Sequence, residues 1–133
     1  MMSVFYTRVF LGLSGFFGVT AVALAAAASH LLADLPARQL GWLNTAIQFQ
    51  LWHGLALLGC AALVNFTLFR IGAAVAGVAF SLGVLAFCGG LYGLAFTASP
   101  AWGAVTPIGG FLMIVGWLAL LWAAVRRPKG ETG

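Results

Sequence analysis

The sequence predicts an all-α membrane protein, a four-transmembrane-helix bundle whose N- and C-termini are both cytoplasmic. Three observations carry that prediction. The composition is too apolar for a water-facing surface, four apolar runs are each long enough to cross a bilayer, and basic residues crowd onto one side of those runs.

Of the 133 residues, 63% are hydrophobic and 6% charged. Soluble domains carry about 25% charged residues, so a soluble fold built from this chain would lack the polar groups to cover its outside. Disorder is excluded for the opposite reason, since it requires low hydrophobicity. The length allows a single domain, here residues 1–133. The formal charge of +4 does not point to nucleic acid, because the six basic residues are scattered at the ends of apolar runs and form no stripe. Cys60 and Cys88 both lie inside apolar runs and read as buried thiols, not as a disulfide framework.

The spans are expected at about residues 9–32, 42–64, 71–96 and 104–125, followed by a cytoplasmic tail at 126–133. Each meets the requirement of ~20 predominantly apolar residues. The first follows Arg8, and its apolar core is too long for a signal-peptide h-region, so it reads as an uncleaved helix. A polar segment, Asp34-Leu35-Pro36-Ala37-Arg38-Gln39, is expected as the loop before the second. The third run is the longest, which permits tilt. Basic residues favour the cytoplasmic side. Arg8, Arg70, Arg126, Arg127 and Lys129 fall on one side and Arg38 alone on the other. Trp42 and Trp102 then mark the outer interface and Trp122 the inner one.

Helices in lipid associate through close contacts that small residues permit. Gly89 and Gly93 form a G-x-x-x-G pair, and Gly77 with Ser81 a small-x-x-x-small pair. Ser14 and Gly18 repeat the pattern in the first helix. These are expected as packing seams, within one chain or between chains. Pro107 suits the first turn of the fourth helix, with Thr106 as its N-cap. Gly109-Gly110 would let another backbone come close.

Function must sit in the few polar residues, since ionisable groups within spans are functional candidates by default. His53 lies halfway along the second run, near the membrane midplane. His30 lies near the outer end of the first, ~15 Å away along the membrane normal. That separation argues against both ligating one haem or metal within a protomer, although His53 of two neighbouring chains could pair. At 100° per residue Trp42, Ala46, Phe49, Gln50 and His53 share one face of the second helix, continued by Cys60, while Asn44 and Gln48 point the opposite way. Unpaired amides facing hydrocarbon are costly. The second helix is therefore expected at the centre of the bundle or wedged between chains. His30, Asn44, Gln48, Tyr92 and Thr106 all fall in the outer half. With Gln50 and His53 they form either a ligand site or a self-satisfied structural cluster. No carboxylate lies within a span, and no zinc-ligand spacing, nucleophile elbow, phosphate loop or paired carboxylate is present. No catalytic residue, metal or cofactor is implied.

The stretch Gly41-Trp42 followed by Ala46-Ile47-Gln48-Phe49-Gln50-Leu51-Trp52-His53-Gly54-Leu55-Ala56-Leu57-Leu58 resembles the second helix of domain-of-unknown-function family 423. This is a bacterial inner-membrane family with a eukaryotic relative, transmembrane protein 256. Phe87-Cys88-Gly89-Gly90-Leu91-Tyr92, then Trp102, then Val105-Thr106-Pro107-Ile108-Gly109-Gly110 with Gly116-Trp117, are similar to its later block. Two departures stand out: residues 25–29 lack the family's glycine-containing word before His30, and Phe49 replaces a common tyrosine. The resemblance implies a small four-helix inner-membrane protein with no established activity.

The leading expectation is therefore a non-enzymatic membrane module, oligomeric or accessory to another membrane protein. It would bind a lipid-like ligand or a membrane partner through the outer-half polar residues. The alternatives are a small transporter or channel with Gln50 and His53 lining the path, and a quinone- or haem-binding redox subunit.

Overall fold

A computed structural model describes residues 1–126, and every element within them is helical. Four long helices, α1 (Met2–His30), α2 (Ala37–Leu63), α3 (Arg70–Thr97) and α4 (Thr106–Val125), are joined by short loops. A 3-10 helix, Pro100–Ala104, precedes α4. All four helices are long and apolar enough to cross a membrane. Arg127, Lys129 and the rest of the expected tail after Arg126 lie outside the described residues.

Helices overrun the apolar stretches. α1 and α3, with 29 and 28 residues, measure ~42 Å against a hydrocarbon core of ~30 Å. α2 starts inside the segment expected as loop. Pro36 (φ −52°, ψ 141°) stands at its N-cap, its carbonyl accepts the Leu40 N–H at 3.1 Å, and Ala37-Arg38-Gln39 form the first turn. All three are good helix formers. Polarity marks where the membrane ends, not where the helical hydrogen bonding stops.

α3 ends on Ala98, whose φ of 53° is left-handed and whose N–H closes onto Leu94 O at 3.0 Å. Glycine usually fills this place. Pro107 occupies the first turn of α4 as expected, but Thr106 is not the N-cap. The 3-10 helix runs almost directly into α4, so Val105 takes the capping position with helical backbone angles. The Thr106 hydroxyl instead donates back to Trp102 O at 3.4 Å.

Each helix packs antiparallel on its neighbour in the chain, and α1 touches α3 lightly. No close backbone approach joins α4 to α1 or α2 among the described residues. The Thr7 hydroxyl donates to Ala61 O at 3.3 Å, and the Asn65 amide donates to the Thr7 hydroxyl at 3.0 Å. These bonds tie the start of α1 to the end of α2. Gly72 packs on Ala123 and Gly90 on Thr106 at opposite ends of the α3–α4 pair. Arg8, Arg70 and Arg126 therefore gather at one end of the molecule and Arg38 at the other. The Arg38 guanidinium lies 4.9 Å over Trp42 and that of Arg126 5.0 Å over Trp122.

The helices are not equal. Of the two places expected for α2, the centre of the bundle or a wedge between chains, the first falls instead to α3, which is the more deeply buried and takes contacts from all three others. The reason is its small residues. Gly77 receives the ring of Phe10 from α1, Gly83 faces Gly109 of α4, and Gly93 receives the indole of Trp102. On α4, Gly109, Gly116 and Ala123 are spaced seven apart, two helical turns each, and face Gly83, Phe80 and Gly72 of α3. The Ser81 hydroxyl donates to Gly77 O at 2.7 Å inside the same buried stretch. Gly89, paired with Gly93 in the expected seam, has no neighbour where a Cβ would stand. Close helix contact runs instead through Gly72, Gly83 and Gly90.

A methyl group on Gly109 would overlap the Phe87 nitrogen and lie 2.7 Å from Gly83 O, both backbone atoms that cannot rotate away. Gly109→Ala is expected to cost about 1–3 kcal/mol, read as a lower thermal midpoint in mild detergent. Gly89→Ala should leave the midpoint unchanged, or raise it by up to ~1 kcal/mol through helix propensity. Equal midpoints for the two variants would mean that α3 and α4 do not meet backbone to backbone.

Candidate functional site

The buried polar groups of α2 form two separate clusters, each reaching toward different helices. Gln50 is 4% exposed and points between α1 and α3. Its Nε2 donates to Phe17 O at 2.9 Å and to the Thr20 hydroxyl at 2.7 Å. Its Oε1 accepts the Tyr92 hydroxyl at 2.7 Å. The amide thus uses both its protons and an oxygen lone pair to bind two neighbouring helices. A cavity of about 220 Å³ lies over it between α1 and α3, reaching Gly89 and Tyr92.

His53, also 4% exposed, lies one turn further along α2 and faces α3 and α4. Its Nδ1 is 2.8 Å from Phe49 O, and its Nε2 is 3.2 Å from the Trp117 Nε1. A carbonyl only accepts and an indole N–H only donates. Nδ1 therefore carries the proton, Nε2 offers its lone pair, and the ring is neutral. Aromatic rings surround it: Phe49 is nearly parallel at 5.9 Å, while Phe80 and Trp117 stand edge-on at 5.3 and 6.0 Å.

Trp117 spans the gap that separates α4 from α2. Beside it runs a largely apolar crevice of about 670 Å³ between these two helices, lined by Phe49, Trp52, Phe87, Met113, Ile114 and Trp117, with His53 in its wall. Trp117 is 51% exposed, so the indole screens the imidazole from whatever occupies the crevice. The lining residues come from the middles of α2 and α4. The crevice therefore opens sideways between the helices, away from both ends of the bundle.

The other sequence candidates lie elsewhere. His30 is exposed at the end of α1, and Asn44 and Gln48 are exposed on α2 with no side-chain partner among the described residues. Thr106 is half-buried against Gly90. The structure joins Gln50 to Tyr92 and separates both from His53. Thr20 and Trp117 are hydrogen-bond partners of Gln50 and His53 that the residue pattern did not point to. Trp117 did leave a signal, because a tryptophan in the middle of an apolar span, away from the interface, needs a partner for its N–H. Cys60 and Cys88 are buried free thiols.

The Gln50 cluster has a measurable consequence. Tyr92→Phe leaves Gln50 Oε1 without its partner, and Gln50→Leu leaves the Tyr92 hydroxyl unpaired. Each should cost about 1–2 kcal/mol, and the double variant should cost less than the sum because the two losses share one bond. Additive losses in thermal unfolding would show that the two side chains do not interact.

A family model described as "Protein of unknown function (DUF423)" matches residues 24–110, a stretch that holds Gln50, His53, Tyr92 and Gly109. The chain is 38% identical over 120 residues to a UPF0382 membrane protein of Haemophilus influenzae, covering 88% of this chain and 91% of the relative. It is 34% identical over 125 residues to the UPF0382 inner membrane protein YgdD of Escherichia coli K12, covering 93% and 92%. A UPF0382 membrane protein of Staphylococcus epidermidis is 35% identical over 90% of this chain and 97% of its own. No solved structure matches. Four membrane-length helices and relatives matched along nearly their whole length lead to one conclusion: the chain belongs to the DUF423 family and is a multi-pass inner membrane protein.

Proposed function

We propose that the protein is a non-enzymatic membrane module that holds a lipid-like ligand in the α2–α4 crevice, with His53 and Trp117 as its polar anchor. The observation that carries this reading is the hydrogen bond between Trp117 Nε1 and His53 Nε2 in the wall of that crevice, away from both ends of the bundle. α4 is attached through α3, so the crevice widens without breaking the Gln50 cluster.

The chemistry of the anchor selects the ligand class. Trp117 offers one proton and His53 one lone pair, and at present they satisfy each other. A single hydroxyl placed between them satisfies both, donating to Nε2 and accepting from the indole. A carbonyl accepts from the indole and leaves Nε2 bare, which is costly in a buried site. The apolar lining suits a long hydrocarbon tail. The ligand class is accordingly a long-chain alcohol or quinol. A shared permeation path for Gln50 and His53 finds less support, since each is bonded into its own cluster, Gln50 with α1 and Tyr92 of α3, His53 with Trp117 of α4. In this reading Arg8, Arg70 and Arg126 lie at the cytoplasmic end, and both termini face the cytoplasm.

Farnesol and its methyl ether, titrated into protein in lipid nanodiscs, test the proposal through tryptophan emission. The alcohol should give a saturable change that is lost in Trp117→Phe. The ether lacks the donor proton and should bind about tenfold more weakly, the equivalent of one hydrogen bond. His53→Ala should abolish that difference. Alcohol and ether acting alike, without saturation, would indicate simple partitioning and defeat the reading.

A further inference from the structure

We infer that the lipid-facing side of α2 pairs with the same side of a second copy of this chain, around Asn44 and Gln48. That side borders the crevice at Leu55, which lines both, but its amides at Asn44 and Gln48 lie outside the crevice lining.

α2 carries polar groups on a face that the described residues leave largely exposed, with Leu51 alone on that face partly packed into the core. Gly41, Asn44, Gln48, Leu55, Leu58 and Ala62 are all exposed and recur three, four or seven apart, so they form one stripe along the helix. The stripe lies opposite the buried residues Leu43, Ala46, Gln50 and Leu57. Neither Asn44 nor Gln48 has a side-chain hydrogen bond among the described residues. Trp42, with Arg38 over its ring, marks the membrane boundary. Gln48 lies six residues beyond it, ~9 Å deeper along the helix, within the hydrocarbon. A primary amide there has two donors and one acceptor with no water to serve them.

The geometry indicates what covers it. Copies inserted in the same orientation pair about a two-fold axis along the membrane normal, so the two α2 helices run parallel and each stripe residue faces its own counterpart. An amide is self-complementary across such an axis, because the N–H of one copy donates to the oxygen of the other and the reverse. The residues at 41, 48, 55 and 62 keep a strict seven-residue spacing, with Asn44 and Leu58 at the intervening positions, which is the repeat of a left-handed two-helix contact. Gly41 and Gly59 have open space where a Cβ would stand, so the partner helix can approach closely toward both ends. A single amide layer within such a repeat fixes register. Gln48 fills that role, with Asn44 one turn outward.

Oxidative crosslinking in native membranes tests the pairing. Gln48→Cys removes no bond within the chain, and the native thiols are buried, so the new cysteine is the reactive one. Val19→Cys on α1 is the control, exposed at matching depth on another face. The expected result is a disulfide-linked dimer for Gln48→Cys and none for Val19→Cys. Single-molecule photobleaching in liposomes of purified protein should show Gln48→Leu weakening the dimer roughly three- to tenfold, with thermal stability of the monomer unchanged. Equal crosslinking at both positions, crosslinking of Gln48→Cys to a different protein, or a dimer indifferent to Gln48→Leu would each overturn the inference.

Discussion

In hydrocarbon the lipid tails are as apolar as the side chains, so no hydrophobic force draws one helix to another. Cohesion rests on how closely backbones approach and on the few polar groups that must be paired inside. That constraint explains why α3, the helix richest in buried small residues, organises the fold. Its glycines act as sockets: Gly77 for Phe10, Gly93 for Trp102, Gly72 for Ala123 and Gly83 for the backbone of α4 at Gly109. Elsewhere the relation reverses, with Phe80 of α3 seated on Gly116. A ring over a glycine gains dispersion contacts that a larger residue would forfeit by holding the helices apart. The Thr-Pro-Ile-Gly-Gly word is thus a packing device. Pro107 starts the helix, and Gly109 sets the distance between α4 and α3.

The polar groups add direction to this packing. Gln50 is fully bonded to α1 and α3, and each such bond contributes about 1 kcal/mol net. Their larger effect is on register, since one turn of slip in α2 would strand the amide in an apolar layer. His53 differs. Its outward partner is a half-exposed indole on a helix otherwise attached through α3. The indole also packs edge-on against Phe80 of α3 at 5.0 Å. The same helix therefore carries an amide bonded on three sides and, one turn away, an imidazole with a single side-chain hydrogen-bond partner.

Much of this was legible in the sequence, for identifiable reasons. Span number follows from apolar run length, and the buried face of α2 from the helical period, which grouped Ala46, Gln50, His53 and Cys60 correctly. The central place of α3 was not legible, because a glycine does not announce what will fill the space above it. Gly89 and Gly93 match the expected word, yet one is open and the other holds an indole from the next loop. Helix ends were blurred because Ala37-Arg38-Gln39 is polar and helical at once. Of the candidate site residues, Tyr92 and Gln50 do meet. Their partners Phe17 O and Thr20 come from α1, where a backbone carbonyl leaves no trace in the residue pattern.

Three side chains on α2 sum up the geometry that remains. Gln48, Gln50 and His53 lie within six residues, and at 100° per residue Gln50 and His53 share one face while Gln48 points away from both. α1 and α3 cover Gln50, and the reach of Trp117 covers His53. α1 packs on α2 and lightly on α3, and among the described residues no close backbone approach joins α4 to α1 or α2. No described helix stands against the exposed face of α2 that carries Gln48. Coverage of Gln48 then comes from outside the four helices, and the same amide on a second copy offers both a donor and an acceptor at matching depth.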